Sequence, residues 1–119
     1  IGQGKHKLIW KGPSGHLAKD RAKLLLNMVA SAISALPRGG VIEVELKGPL
    51  DNATFTVRCR GTGARAPHHL VEYLTGAPTP PLDTQTIQPY YTARLVGNAG
   101  MRLDVLKDGA DIVLSARGL

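Results

Sequence analysis

Lys23-Leu-Leu-Leu-Asn-Met-Val-Ala-Ser-Ala-Ile-Ser-Ala-Leu-Pro-Arg-Gly-Gly40 runs directly into Val41-Ile-Glu-Val-Glu-Leu46. The first part carries apolar residues at Ala22, Leu25, Leu26, Val29, Ala32, Ile33 and Leu36, a spacing that predicts an amphipathic helix from about Leu17 to Leu36. Pro37 and Gly39-Gly40 stop it. Val41 to Lys47 then alternates Val and Ile with Glu43 and Glu45, which is the period of a strand with one wet face. A helix that must bury a stripe and a strand that must bury a face are the two halves of a layered α+β core.

Working outward, His6 to Lys11 reads as a strand ended by Pro13-Ser14-Gly15. On the other side, Gly48-Pro49 and Asp51-Asn52 form a connection. Ala53 to Arg60 follows, alternating with Phe55, Val57 and Cys59 on one face and Thr54, Thr56 and Arg58 on the other. Two alternating runs joined by a short connection favour an antiparallel pair. Gly61-Thr-Gly63 opens a loop, and a short helix runs from His68 to Leu74. Thr75 to Asp83, with Gly76, Pro78, Pro80 and Pro81, reads as an irregular loop. Thr84 or Thr86 is the expected cap of a third helix running to about Gly97, with Pro89 tolerated in its first turn. Met101–Lys107 and Ala110–Arg117 make a closing hairpin around Asp108-Gly109. The order β-α-β-β-α-α-β-β gives a two-layer α/β sandwich, helices on one face of a mostly antiparallel sheet.

At 119 residues the chain is read as one domain over 1–119. With 43% hydrophobic residues it can build a core, and with one Phe, one Trp and three Tyr that core must be mostly aliphatic. No apolar run reaches the roughly 20 residues needed to span a bilayer, so no membrane segment is expected. The N-terminus lacks the apolar region of a signal peptide and begins without Met, the mark of a piece of a longer protein. A lone cysteine, Cys59, forms no intrachain disulfide and fits a cytoplasmic setting. The net charge of +6 favours acidic partners, but no aromatic residues interleave the arginines, so a nucleic-acid partner is not expected.

The chain resembles the Bergerat-type ATP-binding (GHKL) domain of sensor histidine kinases. It is more closely similar to the C-terminal domain of ChpT-type histidine phosphotransferases of alphaproteobacteria. The closer resemblance rests on Ala22-Lys23-Leu-Leu-Leu-Asn-Met28 with Ala35-Leu-Pro-Arg-Gly-Gly40, and on Ile87-Gln-Pro-Tyr-Tyr91 with Gly100-Met-Arg-Leu103. In the active ATP-binding fold the corresponding helix carries two Asn residues one turn apart, the second binding magnesium. Here Asn27 occupies the first position and Ser31 the second. An Asp that would hold the adenine amino group, ahead of a Gly-x-Gly loop, corresponds to Cys59 ahead of Gly61 and Gly63. A thiol is a poor acceptor and carries no charge unless its pKa is depressed. The loop that would wrap the phosphates reads Pro80-Pro-Leu-Asp-Thr-Gln-Thr86, without glycine.

The resemblance implies a vestigial nucleotide pocket at Asn27, Ser31, Cys59, Gly61 and Gly63, with no cofactor bound. The bland readings stand beside it: Asn27 bonding to a loop or facing solvent, Cys59 as a small core residue, the glycines as turn residues. It implies a homodimer that relays phosphate between a hybrid histidine kinase and response-regulator receiver domains, through a histidine in an N-terminal helical hairpin absent from this chain. None of His6, His16, His68 and His69 stands in the expected context of that histidine. His68 and His69, adjacent at a helix start, are not expected to share a face, and no metal is expected. Candidate partner-binding residues are Arg58, Arg60 and Arg65, taken to flank the vestigial pocket, with Tyr90 and Tyr91. The arginines read equally as solubilising charge, and one of the two tyrosines as core. A kinase or ATPase domain that still binds ATP is the alternative, motivated by Asn27, Gly61 and Gly63.

Overall fold

The computed structural model describes residues 5–76 and 81–119. The elements are β1 (His6–Lys11), α1 (Lys19–Ala35), β2 (Gly40–Lys47), β3 (Thr54–Arg60), α2 (His68–Thr75), α3 (Ile87–Asn98), β4 (Met101–Asp108) and β5 (Asp111–Gly118). A single 3-10 turn, Leu50–Asn52, lies between β2 and β3. The strands form one five-stranded sheet in the order β1-β2-β3-β5-β4. Every ladder is antiparallel except β1 with β2. That exception follows from the connection: α1 carries the chain back along the sheet, so the strands on either side of it run the same way.

Alternation decides which face is buried. Ile42, Val44 and Leu46 of β2, Phe55, Val57 and Cys59 of β3, and Ile112, Leu114 and Ala116 of β5 all point to the helical layer and are buried. Leu24, Leu25, Met28, Ala32 and Ala35 of α1 pack onto them, with Leu70 of α2 and Leu95 and Val96 of α3 completing the same core. A fully buried side chain of this kind contributes about 1.5–3 kcal/mol, so the core outweighs any single polar contact in the domain. β1 is an edge strand, and its Leu8 and Trp10 are exposed.

The expected elements are present with ends moved by one or two residues. The closing hairpin differs in register. Its ladder continues to an Asp108–Asp111 pair, so Gly109 and Ala110 form the turn instead of Asp108 and Gly109. The cap of α3 also differs. Neither Thr84 nor Thr86 supplies it with a side chain: the Asp83 carboxylate accepts bonds from the backbone N–H of Gln85 (2.8 Å) and Thr86 (3.0 Å). The Thr86 hydroxyl turns back to the Pro81 carbonyl (2.9 Å). Asp is as good a cap as Thr, and here it stands where two free N–H groups point. Of the expected irregular loop, Pro78 and Pro80 lie outside the described residues.

Candidate functional site

The site expected from the sequence lies between α1, the end of β3 and the starts of α2 and α3. On α1, Asn27 and Ser31 are one turn apart and share a face. The Asn27 side-chain amide donates to the Lys23 carbonyl (2.9 Å), which turns its Oδ1 toward α3. There Oδ1 accepts from Gln88 Nε2 (3.2 Å) and lies 3.5 Å from Thr92 Oγ1, whose proton goes to the Gln88 carbonyl (2.9 Å). Gln88 Nε2 also donates to Thr92 Oγ1 (2.7 Å). Asn27, Gln88 and Thr92 therefore form a neutral polar latch between α1 and α3, and Asn27, half-buried, bonds to helices instead of a loop. Ser31 is buried, and its hydroxyl donates to the Asn27 carbonyl (2.9 Å) one turn back. The sequence reading missed Gln88 and Thr92. Their signal was an i, i+4 polar pair on one face of an otherwise apolar helix.

Cys59 is fully buried among the aliphatic residues of the sheet. Its thiol is pushed up to about 12, first by desolvation and then by the charge of Asp111. It is a core residue and no thiolate nucleophile. Gly61 follows it because a Cβ there would sit 2.4 Å from the Gly39 carbonyl oxygen and 3.0 Å from Leu36 Cδ2. Gly63 has φ +74°, a left-handed conformation that side-chain-bearing residues adopt at a cost. Gly61 is thus explained by backbone packing against the turn between α1 and β2, and Gly63 by its own conformation.

A cavity of about 260 Å³ lies between these elements, lined by Ser31 and Ser34 of α1, Arg65, His68 and His69, and Gln85 and Gln88. Small-molecule sites typically run from about 300 Å³ upward, so this one is small for a nucleoside triphosphate.

The arginines divide in a way that alternation along β3 dictates. Cys59 points to the helices, so Arg58 and Arg60 point to the opposite, open face of the sheet and do not flank the cavity. Only Arg65 lines it. On the open face Arg58 Nη1 meets Asp111 (2.9 Å) and Asp108 (3.0 Å), and Arg60 meets Asp111 (3.3 Å) and Glu43 (3.2 Å). The Asp111 bond, then the Asp108 bond, raise the Arg58 pKa above its ordinary value. Tyr90 is half-buried and packs edge-on against Tyr73 with ring centroids 5.5 Å apart, whereas Tyr91 is exposed. At the start of α2 the sequence expectation fails: the His68 and His69 rings lie with centroids 4.0 Å apart, and both approach Glu72. In the first turn of a helix no preceding turn blocks the rings, and Glu72 is three residues from one and four from the other.

A mixed five-stranded sheet with helices on one face, α1 lying over it beside a small polar cavity, is the architecture of histidine-kinase catalytic domains. The histidine kinase AdeS of Acinetobacter baumannii superposes with a TM-score of 0.62 at 13% identity, over 97% of this chain and 54% of that one. The catalytic domain of the histidine kinase ThkA gives 0.64 at 15% identity, over 94% and 77%. At such identities the likeness is one of fold.

The chain itself belongs to the histidine phosphotransferase C-terminal domain family, which residues 1–111 match. It is 38% identical over 113 residues to the protein phosphotransferase ChpT of Brucella abortus strain 2308, covering 94% of this chain and 54% of that protein. A solved bacterial phosphotransferase superposes with a TM-score of 0.88 at 37% identity, over 94% of this chain and 55% of that one. The chain thus spans about half the length of these relatives.

Proposed function

We propose that this chain is the C-terminal domain of a histidine phosphotransferase in a bacterial two-component phosphorelay, docking response-regulator receiver domains and binding no ATP. The observation that carries the second half is the latch. The Oδ1 of Asn27 is taken by the Gln88 amide. A magnesium ion would have to find its second ligand in Ser31, whose hydroxyl is buried and bonded to the helix backbone. Opening the site for a nucleotide would cost those bonds and gain no carboxylate for adenine, because a thiol held at about 12 stands in its place.

The first half rests on family membership and on the relatives' name. In the whole protein the phospho-accepting histidine would come from an N-terminal segment that pairs two copies. A hybrid histidine kinase would supply the phosphoryl group, and the setting would be the cytoplasm. Among the described residues no helix is long and apolar enough to cross a membrane. Receiver domains present carboxylates around their phospho-acceptor, which suits a basic docking surface. Arg65 and Tyr91 are the candidates whose charge or ring is still available on the helical side. Arg58 and Arg60 already have carboxylate partners and would contribute less.

Calorimetric titration with ATP and ADP, with and without magnesium, tests the pocket: no heat at millimolar nucleotide is expected, and micromolar binding would restore the ATP-binding alternative. Titrating a receiver domain into the labelled chain at low salt tests the docking. Shifts at Arg65 and Tyr91 are expected, and an unmoved spectrum would remove this chain from the docking surface.

A further inference from the structure

We propose that His68, His69 and Glu72 form a binding site for a divalent transition-metal cation of the zinc type, at the first turn of α2 beside the cavity. The site is independent of the latch and of the phosphorelay reading. In the sequence His68-His69-Leu-Val-Glu72, the carboxylate stands four residues from one imidazole and three from the other, and both spacings place side chains together on a helix surface. The folded chain brings one ligand atom from each residue within 4.8 Å of the other two. His69 Nδ1 and a Glu72 carboxylate oxygen are already 3.0 Å apart. Around a tetrahedral zinc with bonds of about 2.0–2.2 Å, neighbouring ligand atoms lie about 3.4 Å from one another. His68 is the exposed member of the three, and His69 and Glu72 are half-buried.

The donor set selects the ion. Two imidazole nitrogens and one carboxylate suit zinc and its neighbours, whereas magnesium and calcium require a shell of oxygens that this turn does not offer. Three protein ligands leave one coordination position open. His68 and His69 line the cavity together with Ser34, Gln85 and Arg65, so a fourth ligand could enter from it. Arg65 opposes a bare cation, and the same charge favours an anionic fourth ligand, which places the metal between a carboxylate on the helix and an anion from the cavity.

Isothermal titration of Zn²⁺ into the chain, with Co²⁺ as a spectroscopic substitute, reads the site. One equivalent is expected to bind, with Co²⁺ giving visible bands and broadening the amide resonances of residues 68–72. His69→Ala and Glu72→Gln are each expected to weaken binding by about tenfold or more. His16→Ala, on an exposed histidine far along the sequence, is expected to change nothing. Glu72→Gln keeps the helix intact, so it reports on ligation even if His69→Ala perturbs the fold. No zinc binding at millimolar concentration, or binding that both triad substitutions leave unchanged, overturns the proposal.

Discussion

Arg58, Cys59 and Arg60 are consecutive, yet they belong to two regions held together by different physics. Cys59 enters the helical side, where the polar groups are neutral, hydrogen-bonded and enclosed: Asn27, Ser31, Gln88 and Thr92 among Leu24, Met28 and Leu95. Arg58 and Arg60 enter the open side, where Asp111, Asp108 and Glu43 answer them at distances of 2.9–3.3 Å in reach of water. The latch and the buried thiol are therefore expected to be indifferent to salt, and the open-face ion pairs to weaken with it. Under the proposed reading, a fold shared with histidine-kinase catalytic domains keeps its architecture while its helical side serves the core and the latch. Asn27, Ser31 and Cys59 are each used by the helix backbone, the latch or the core.

The hardest test of that contrast is Cys59→Asp, which restores the carboxylate that adenine recognition would need. It buries an unpaired charge in an apolar sheet, with Asp111 repelling it from the other face. A loss of about 3–5 kcal/mol is expected in urea denaturation, without any gain of ATP affinity. A stable variant that binds ATP would show that the helical side is an intact pocket lacking one residue. The wild-type thiol should also resist alkylation until the chain is unfolded, since only the thiolate reacts.

Next in size is Asn27→Ala. It strips the latch of its side-chain acceptor and leaves the Gln88 amide with Thr92 and a long contact (3.4 Å) to the residue-27 carbonyl. The expected cost is about 1–3 kcal/mol, the range for leaving a part-buried polar group short of a partner. Combining it with Gln88→Ala should give less than the sum of the two single losses. Strict additivity would mean that the two side chains are neighbours without being partners.

The fold was legible because its signals are redundant. Helical spacing from Ala22 to Leu36, alternation in β2 and β3, and Pro and Gly at the boundaries all point the same way. The parallel pairing of β1 with β2 was not stated, since a strand's own residues do not say which neighbour it takes. The candidate site was half legible: Ser31 and Cys59 could be singled out position by position against a family pattern, and both are buried. The latch could not, because it joins residues 61 to 65 positions apart whose pairing exists only after α1 and α3 pack. Placing Arg58 and Arg60 beside the pocket overlooked a rule already applied to Cys59: neighbours on a strand face opposite ways. Reading the two histidines as unable to share a face applied helix-surface spacing to the first turn of α2 and left Glu72 out of the count.

On the open side, Asp111→Ala removes the carboxylate shared by Arg58 and Arg60 but leaves Arg58 with Asp108 and Arg60 with Glu43. The expected loss is about 1 kcal/mol or less, because Arg60 is half-exposed and the pairs are solvated. The comparison sharpens with salt. Near 1 M, where screening acts within about 3 Å, the Asp111→Ala penalty should shrink while the Asn27→Ala penalty stays. Equal salt sensitivity would erase the distinction between the two faces.

The smallest effect concerns Asp83, the one carboxylate at the rim of the helical side that caps a helix. The Gln85 N–H holds its carboxyl below the ordinary value of 3.8, helped by the Thr86 N–H and hydroxyl and by His69, against a smaller opposing effect of burial. A depressed carboxyl pKa means that the folded state binds the proton less readily than the unfolded chain. The contribution of Asp83 is therefore complete above 3.8 and is lost as the pH falls through the lower folded value. Asp83→Asn keeps an acceptor for Gln85 and Thr86 but has no proton to gain, so its thermal midpoint should lie slightly below wild type at neutral pH and converge with it in acid. If the two curves stayed parallel down to the lowest pH at which the chain remains folded, the cap would owe nothing to its charge. The helical side would then be neutral in its energetics right out to its rim.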